Sequence, residues 1–439
     1  MAKKTGRRDF VFKTMKSMAT LGGILAAARL GSASASKPRD GVPSYEAYLR
    51  KSAVNKEVLR RFLEEDTWAQ FDGELGYILG NSMPRDGIDG SSTLSTALPS
   101  GMRTPHIYRE RPCRINTYGD SFTQCHQVSD GETWQEYLAA HLGEPIRNFG
   151  MGGFGVYQAY RRMLREEKTE NSAEYLILYM WGDDYVRSVL RCRYILYHTI
   201  WDNAGGDMFH GNFWSNIEMD LQAGKLVEKE SLLATPAALY NMADGDFMYE
   251  SLKDDLMAQL SLLERGAIRA VDESALRRLS EILDVPPIDF SKIGESTSSV
   301  TKLRNTYAFA ATKYILDKAK AFAKEHGKKL MVVHFGPYDA METLIESGTR
   351  YDQEIVDHLR KNDFLYFDMN EVHVKDFKNF NIPLKDYMKR YFVGHYSPAG
   401  NHFFAFSLKD EVVPWLDPPP ITYRQDKRKM VDFQGYLPG

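Results

Sequence analysis

From about residue 113 onward the chain alternates between short apolar runs and longer amphipathic stretches. Residues 114–118, 146–149, 174–181, 329–335 and 364–368 are brief and apolar-leaning, as buried strands are. Residues 133–142, 157–167, 302–326 and 352–360 instead space their apolar positions as a helix does. In 302–326 the stripe is Leu303, Tyr307, Ala311, Ile315 and Ala319. Residues 403–412 close the pattern as a last helix. Strands alternating with helices predict an α/β fold, a three-layer α/β/α domain around a parallel sheet. Functional loops of such a domain lie beyond the carboxyl ends of the strands.

The other segments read differently. Residues 44–66 are helical, with Tyr45, Leu49, Val54, Leu59 and Phe62 set among charges, and residues 80–106 are rich in Gly, Ser, Pro and Thr, as in a long ordered loop. Residues 185–300 interrupt the alternation, dense in Arg, Tyr and Trp at first and largely helical over roughly 228–285. The expected organisation is therefore an extension over 36–112, the α/β domain over 113–184 and 301–415, an insertion over 185–300 and a tail over 416–439.

The amino terminus departs from globular composition. Lys3, Lys4, Arg7, Arg8, Lys13 and Lys16 precede an apolar small-residue run over 18–28 and the triplet Ala33-Ser34-Ala35. Arg7-Arg8-Asp9-Phe10 resembles a twin-arginine export signal, which places the signal at 1–35 and the mature chain in the periplasm or outside the cell. Without residues 1–35 the chain has 49 Lys+Arg against 58 Asp+Glu, a formal charge of −9. Such a surface offers no general attraction to nucleic acid, and no later stretch is long and apolar enough to span a bilayer. Cys113, Cys125 and Cys192 are too few for a disulfide scaffold, although one bridge stays open; Cys125 reads as a packed thiol.

Four short segments follow candidate strands and carry chemistry: Gly119-Asp120-Ser121, Asn148-Phe149-Gly150-Met151-Gly152-Gly153, Trp181-Gly182-Asp183-Asp184, and His395 with Pro398, Gly400 and Asn401. A parallel sheet brings such loops to one edge. Ser121 Oγ is a weak nucleophile until a base such as His395 accepts its proton. The negative oxygen of a tetrahedral intermediate needs donors already in place, which the Ser121 and Gly153 amides offer.

These blocks, in this order, resemble the SGNH/GDSL hydrolase superfamily over about residues 113–415. The resemblance implies a flavodoxin-like three-layer fold, Ser121 as nucleophile, His395 as general base, and Ser121 and Gly153 in the oxyanion hole. It implies a carboxylic ester as substrate, an acyl group on a carbohydrate or another small polar molecule, and calls for no cofactor and no metal. Two positions depart from the pattern. Asp183 stands where the family has an asparagine donor, and an ionised carboxylate has no proton to donate. Asp183 is then neutral, turned away, or matched by a cation; the neutral acid is the preferred account for an ordinary esterase. Phe392 and Val393 occupy the places where the family carries the aspartate that orients the histidine, leaving a Ser–His dyad or a remote acid, with Asp386 and Asp368 as candidates.

Asp184, Trp181, Tyr185 and His334 are candidates for substrate contact, while Trp201 and Trp214 either stack on a sugar or fill the insertion core. Arg187, Arg191 and Arg193 fit either an anionic substrate or a charged helix face. His126 reads as structural or rim-lining, and Asp202, Asp207 and His210 lack a compact metal-ligand motif. Alternatives to hydrolysis are acyl transfer by the same fold and a non-catalytic carbohydrate-binding or envelope-assembly module.

Overall fold

A computed structural model of the chain describes residues 41–203, 211–292, 297–336 and 338–424. The expected export signal at 1–35 lies outside the described residues, as do Asp207, His210 and the side chains of Trp201 and Asp202. Ala69–Asp72 (β1) and Gly76–Leu79 (β2) form an antiparallel hairpin ahead of the α/β pattern. Ile115–Tyr118 (β3), Ile146–Asn148 (β4) and Tyr175–Trp181 (β5) follow, then a second hairpin, Asn216–Asp220 (β6) with Lys225–Lys229 (β7). Lys329–Phe335 (β8) and Leu365–Asp368 (β9) complete the described strands.

The central sheet runs β4-β3-β5-β8-β9, every pair parallel. Its two faces bury alternate side chains. Ile177, Tyr179, Met331 and Val333 pack on one side with Trp134 and Leu138 of the helix Trp134–Leu142 and with Phe404 and Leu408 of Pro398–Trp415. Leu176, Leu178, Met180 and Val332 face the other way, toward Val156–Glu166 and Thr297–Glu325. The result is a three-layer α/β/α architecture, and every β5 residue except Trp181 is buried. Burying each large side chain of this kind contributes about 1.5–3 kcal/mol, so β5 anchors the loops at its carboxyl end.

Outside the sheet the elements differ in detail from expectation. Residues 44–66 form two helices, Tyr45–Arg50 and Lys56–Glu64, because Ser44 and Asn55 each accept from a backbone amide two or three residues on and start a new helix. The hairpin β6–β7 lies in a region read as helical or irregular. Leu49, Phe62 and Tyr77 from the amino-terminal part and Trp214, Ile217 and Leu260 from the 185–300 region share one apolar cluster with Leu176 and Leu178 of the sheet. Both added segments therefore pack against the face that carries Thr297–Glu325. No described helix is long and apolar enough to cross a membrane.

Candidate active site

β3 delivers the first element of the site. Past Tyr118 the chain turns into a four-residue helix, Ser121–Gln124, whose first turn is capped by Asp120: its carboxylate accepts from Phe122 N at 2.9 Å. The cap leaves Ser121 partly exposed at the carboxyl edge of the sheet. His395 arrives from the far end of the chain, on the loop before Pro398–Trp415, where Ser397 caps the helix. The two side chains meet, with His395 Nε2 2.7 Å from Ser121 Oγ.

The other ring nitrogen is held by an amide. Gln127 Oε1 lies 3.0 Å from His395 Nδ1 and also accepts from the His395 backbone N–H at 2.8 Å. Gln127 Nε2 donates to Asp86 O at 2.9 Å. Reversing the amide would set its NH₂ against the His395 backbone N–H and its oxygen against a carbonyl, so this network fixes the orientation. An amide oxygen only accepts, so Nδ1 carries the proton and Nε2 keeps a lone pair toward the Ser121 hydroxyl. Gly394 makes the contact possible: its φ is +134°, and a Cβ there would stand 2.5 Å from Gln127 Oε1.

Neither candidate orienting acid reaches the ring. Asp386 is exposed and pairs with Lys389 at 2.8 Å. Asp368 pairs with Arg350 and caps the next helix through Asn370 N at 3.0 Å. A neutral amide cannot stabilise the imidazolium as a carboxylate does. Burial, reinforced by the charges of His126 and Arg187 and opposed by Asp86, pushes His395 down to about 3. The His126 ring stacks on His395 at 5.1 Å and pairs with Asp86 at 3.2 Å, and Asp86 also accepts from Thr93 at 2.6 Å. The 80–106 loop thus supplies one wall of the site.

Two backbone donors stand ready. Neither the Ser121 amide nor the Gly153 amide has a hydrogen-bond partner among the described residues, whereas Gly150 N and Gly152 N are bound to Asn148 and Gln124 side chains. Gly153 has φ +85°, a conformation that glycine adopts without strain.

Asp183 is not a neutral acid. It accepts from Arg187 Nη2 at 3.0 Å and from Tyr197 OH at 3.3 Å. Burial pushes its pKa up, but the charges of Arg187, Arg193, Arg265 and Arg304 outweigh it and hold the carboxyl down to about 2. It remains ionised, with its carboxylate engaged by Arg187, and so donates no proton. Asp184 is buried, accepting from Trp181 N at 2.9 Å and from Arg187 Nη1 at 2.8 Å; burial and the Asp120 charge push it toward its neutral form.

The remaining candidates fall into two groups. Trp181 is half-buried beside Phe122, their rings 5.6 Å apart, and Phe122 packs 5.0 Å from His395. His334 and Tyr185 are sealed in the interior instead, His334 between Asp352 at 2.6 Å and Tyr185 OH at 3.1 Å. Trp214 is buried in the shared core, and Arg191 pairs with Glu218 and Asp254. The three cysteines are free, and burial pushes the Cys125 thiol up to about 12. No group of His, Cys, Asp and Glu that could hold a metal occurs among the described residues.

No protein-family model matches the chain, and no curated protein matches it. Three positioning residues escaped the sequence reading: Gln127, Asp86 and Arg103. Arg103 is buried and binds the carbonyls of Gln124, Cys125 and Val128 at 2.6–2.8 Å while pairing with Asp130 at 2.8 Å. It grips the turn that carries Gln127. Their signal is spatial, since Gln127 meets a residue 268 positions away.

Proposed function

We propose that the chain is an exported serine hydrolase of the SGNH/GDSL type that cleaves a carboxylic ester. The observation that carries this reading is the 2.7 Å contact between Ser121 Oγ and His395 Nε2, with Nδ1 held by Gln127. The strand order second-first-third-fourth-fifth within the central sheet, which flavodoxin-like sheets share, supports it further. So does the 1–35 export pattern, which assigns the mature chain to the periplasm or the exterior.

In this reading Ser121 Oγ attacks the ester carbonyl carbon as His395 Nε2 takes its proton. The carbonyl oxygen becomes an oxyanion facing the unpartnered Ser121 and Gly153 amides; losing one such donor typically costs about 3–4 kcal/mol. The tetrahedral intermediate collapses, the C–O bond to the alcohol breaks, and His395 returns the proton to the departing oxygen. Water, deprotonated by His395, then attacks the acyl-Ser121 ester and frees the acid. Turnover of 4-nitrophenyl acetate tests the assignment. Ser121→Ala is expected to reduce it by about a thousandfold or more, and turnover retained in that variant sinks the reading.

A further inference from the structure

A tie from outside the α/β domain reaches the oxyanion hole of the proposed mechanism. From Phe149 to Gly155 a side chain or a carbonyl engages every backbone amide except that of Gly153, which has no partner among the described residues. The Gly153 N–H shares one planar trans unit with the Gly152 carbonyl, and in such a unit the two bonds point in opposite directions. Gly152 O accepts from Tyr77 OH at 3.1 Å. The hydroxyl therefore fixes where the N–H on the other side of the unit is aimed.

Gln124 holds the unit before it, its Oε1 accepting from Gly152 N at 2.6 Å. Gln124 closes the four-residue helix that begins at Ser121, so this bond also ties the Gly153 loop to the nucleophile. The two segments lie close, since a Cβ on Gly152 would stand 3.7 Å from Ser121 Cβ.

Tyr77 has little freedom to turn away. It lies on β2, in the hairpin that precedes the α/β domain, and is fully buried. Its ring packs 5.6 Å from Phe154 and 6.2 Å from Trp214. Burial pushes the phenol up to about 12 against the charges of Arg193 and Arg187, so it keeps the proton it donates. A bond to the carbonyl also polarises the peptide unit and makes its N–H a stronger donor. Asp183 is ionised and donates nothing, which puts more weight on the Gly153 amide.

We propose that Tyr77 and Gln124 are positioning residues that clamp the Gly152–Gly153 peptide and aim its N–H at the developing oxyanion. The amino-terminal hairpin is then part of the catalytic apparatus. The inference rests on the esterase reading and adds what sets its oxyanion hole.

Two variants test the clamp: Tyr77→Phe removes only the hydroxyl, and Gln124→Met keeps the side-chain length without the acceptor. Tyr45→Phe is the control, since it removes another buried hydroxyl of the amino-terminal segment, one bonded to Leu252 O at 2.8 Å. With 4-nitrophenyl acetate each clamp variant is expected to lower kcat and kcat/KM together by about tenfold, with KM unchanged. Tyr45→Phe is expected to match the unaltered chain. Trifluoroacetone reads the hole itself: Ser121 Oγ adds to its carbonyl carbon, His395 takes the hydroxyl proton, and the ketone oxygen becomes the oxyanion. Its Ki is expected to rise about tenfold in both clamp variants and not in the control. Circular dichroism checks each fold, and Gln124→Met decides should Tyr77→Phe not fold. Unchanged kcat/KM and Ki in the folded clamp variants, with turnover still lost in Ser121→Ala, overturn the clamp and leave the esterase reading standing. No turnover by the unaltered chain sinks that reading and the clamp with it.

Discussion

In the proposed mechanism, Gln127 is the residue on which the behaviour of the Ser121–His395 pair turns. A carboxylate in its place would orient the imidazole and also stabilise its cation; the amide does only the first. Because His395 is held at about 3, it stays neutral, and able to accept a proton, down to acidic pH. The acid limb of kcat/KM is therefore expected below pH 5, and a limb near pH 7 would contradict the account. Gln127→Glu places a negative charge 3 Å from Nδ1 and should move that limb up by about one to three units. Gln127→Ala removes the hold on the tautomer and is expected to lower kcat about ten- to hundredfold, with KM little changed. Asp183 illustrates the limits of reading such residues from sequence. Its place in the Trp181–Asp184 segment was legible, but its charge state depends on arginines from four separate positions, 187, 193, 265 and 304.

At the scale of elements, the site is a set of loop ends fastened by a few buried ties. Arg103 binds the carbonyls of Gln124, Cys125 and Val128 in the turn after Ser121 and pairs with Asp130. Arg103→Ala strips the buried Asp130 carboxylate of its guanidinium partner, leaving it to Thr96 and His106, and is expected to destabilise the fold by about 3 kcal/mol, read by urea unfolding. Gly394→Ala drives a Cβ against Gln127 and is expected to lower kcat while the folded spectrum persists. The apolar runs that became β5 and β8 were readable because a strand buried on both faces is apolar at nearly every position. The hairpin β6–β7 was not: Asn216–Asp220 and Lys225–Lys229 mix charges with apolar residues, and what pairs them is packing onto the sheet's helical layer. Gln127 was unreadable for a related reason. It lies in a turn with φ +72°, aimed at a loop from the other end of the chain.

For the whole molecule, buried titratable groups set opposing pH trends. His373 and His395 are both held at about 3 in the fold against an ordinary 6.5, so each withdraws about 1.4 kcal/mol of stability per pH unit as pH falls below 6.5. Asp120 and Asp255 are pushed up to about 6 by burial, so they return stability as pH falls from 6 toward 3.8. Asp184, also pushed up by burial, adds to the second trend, so Tm is not expected to fall between pH 6 and 4.5. Below about pH 4 the unfolded chain protonates carboxyls that the fold still holds ionised, Asp183 through its arginines and Asp352 through His334 and then Arg350, and stability falls. A Tm that declines steadily from pH 6.5 would contradict this balance. The central claim, that Ser121 and His395 form a nucleophile and its base, is tested most directly by trapping. The chain is treated with a fluorophosphonate and the adduct mapped by mass spectrometry. One phosphonyl group on Ser121, acquired far more slowly in His395→Ala, is the expected result; an unlabelled Ser121 in a chain that still cleaves esters would contradict it.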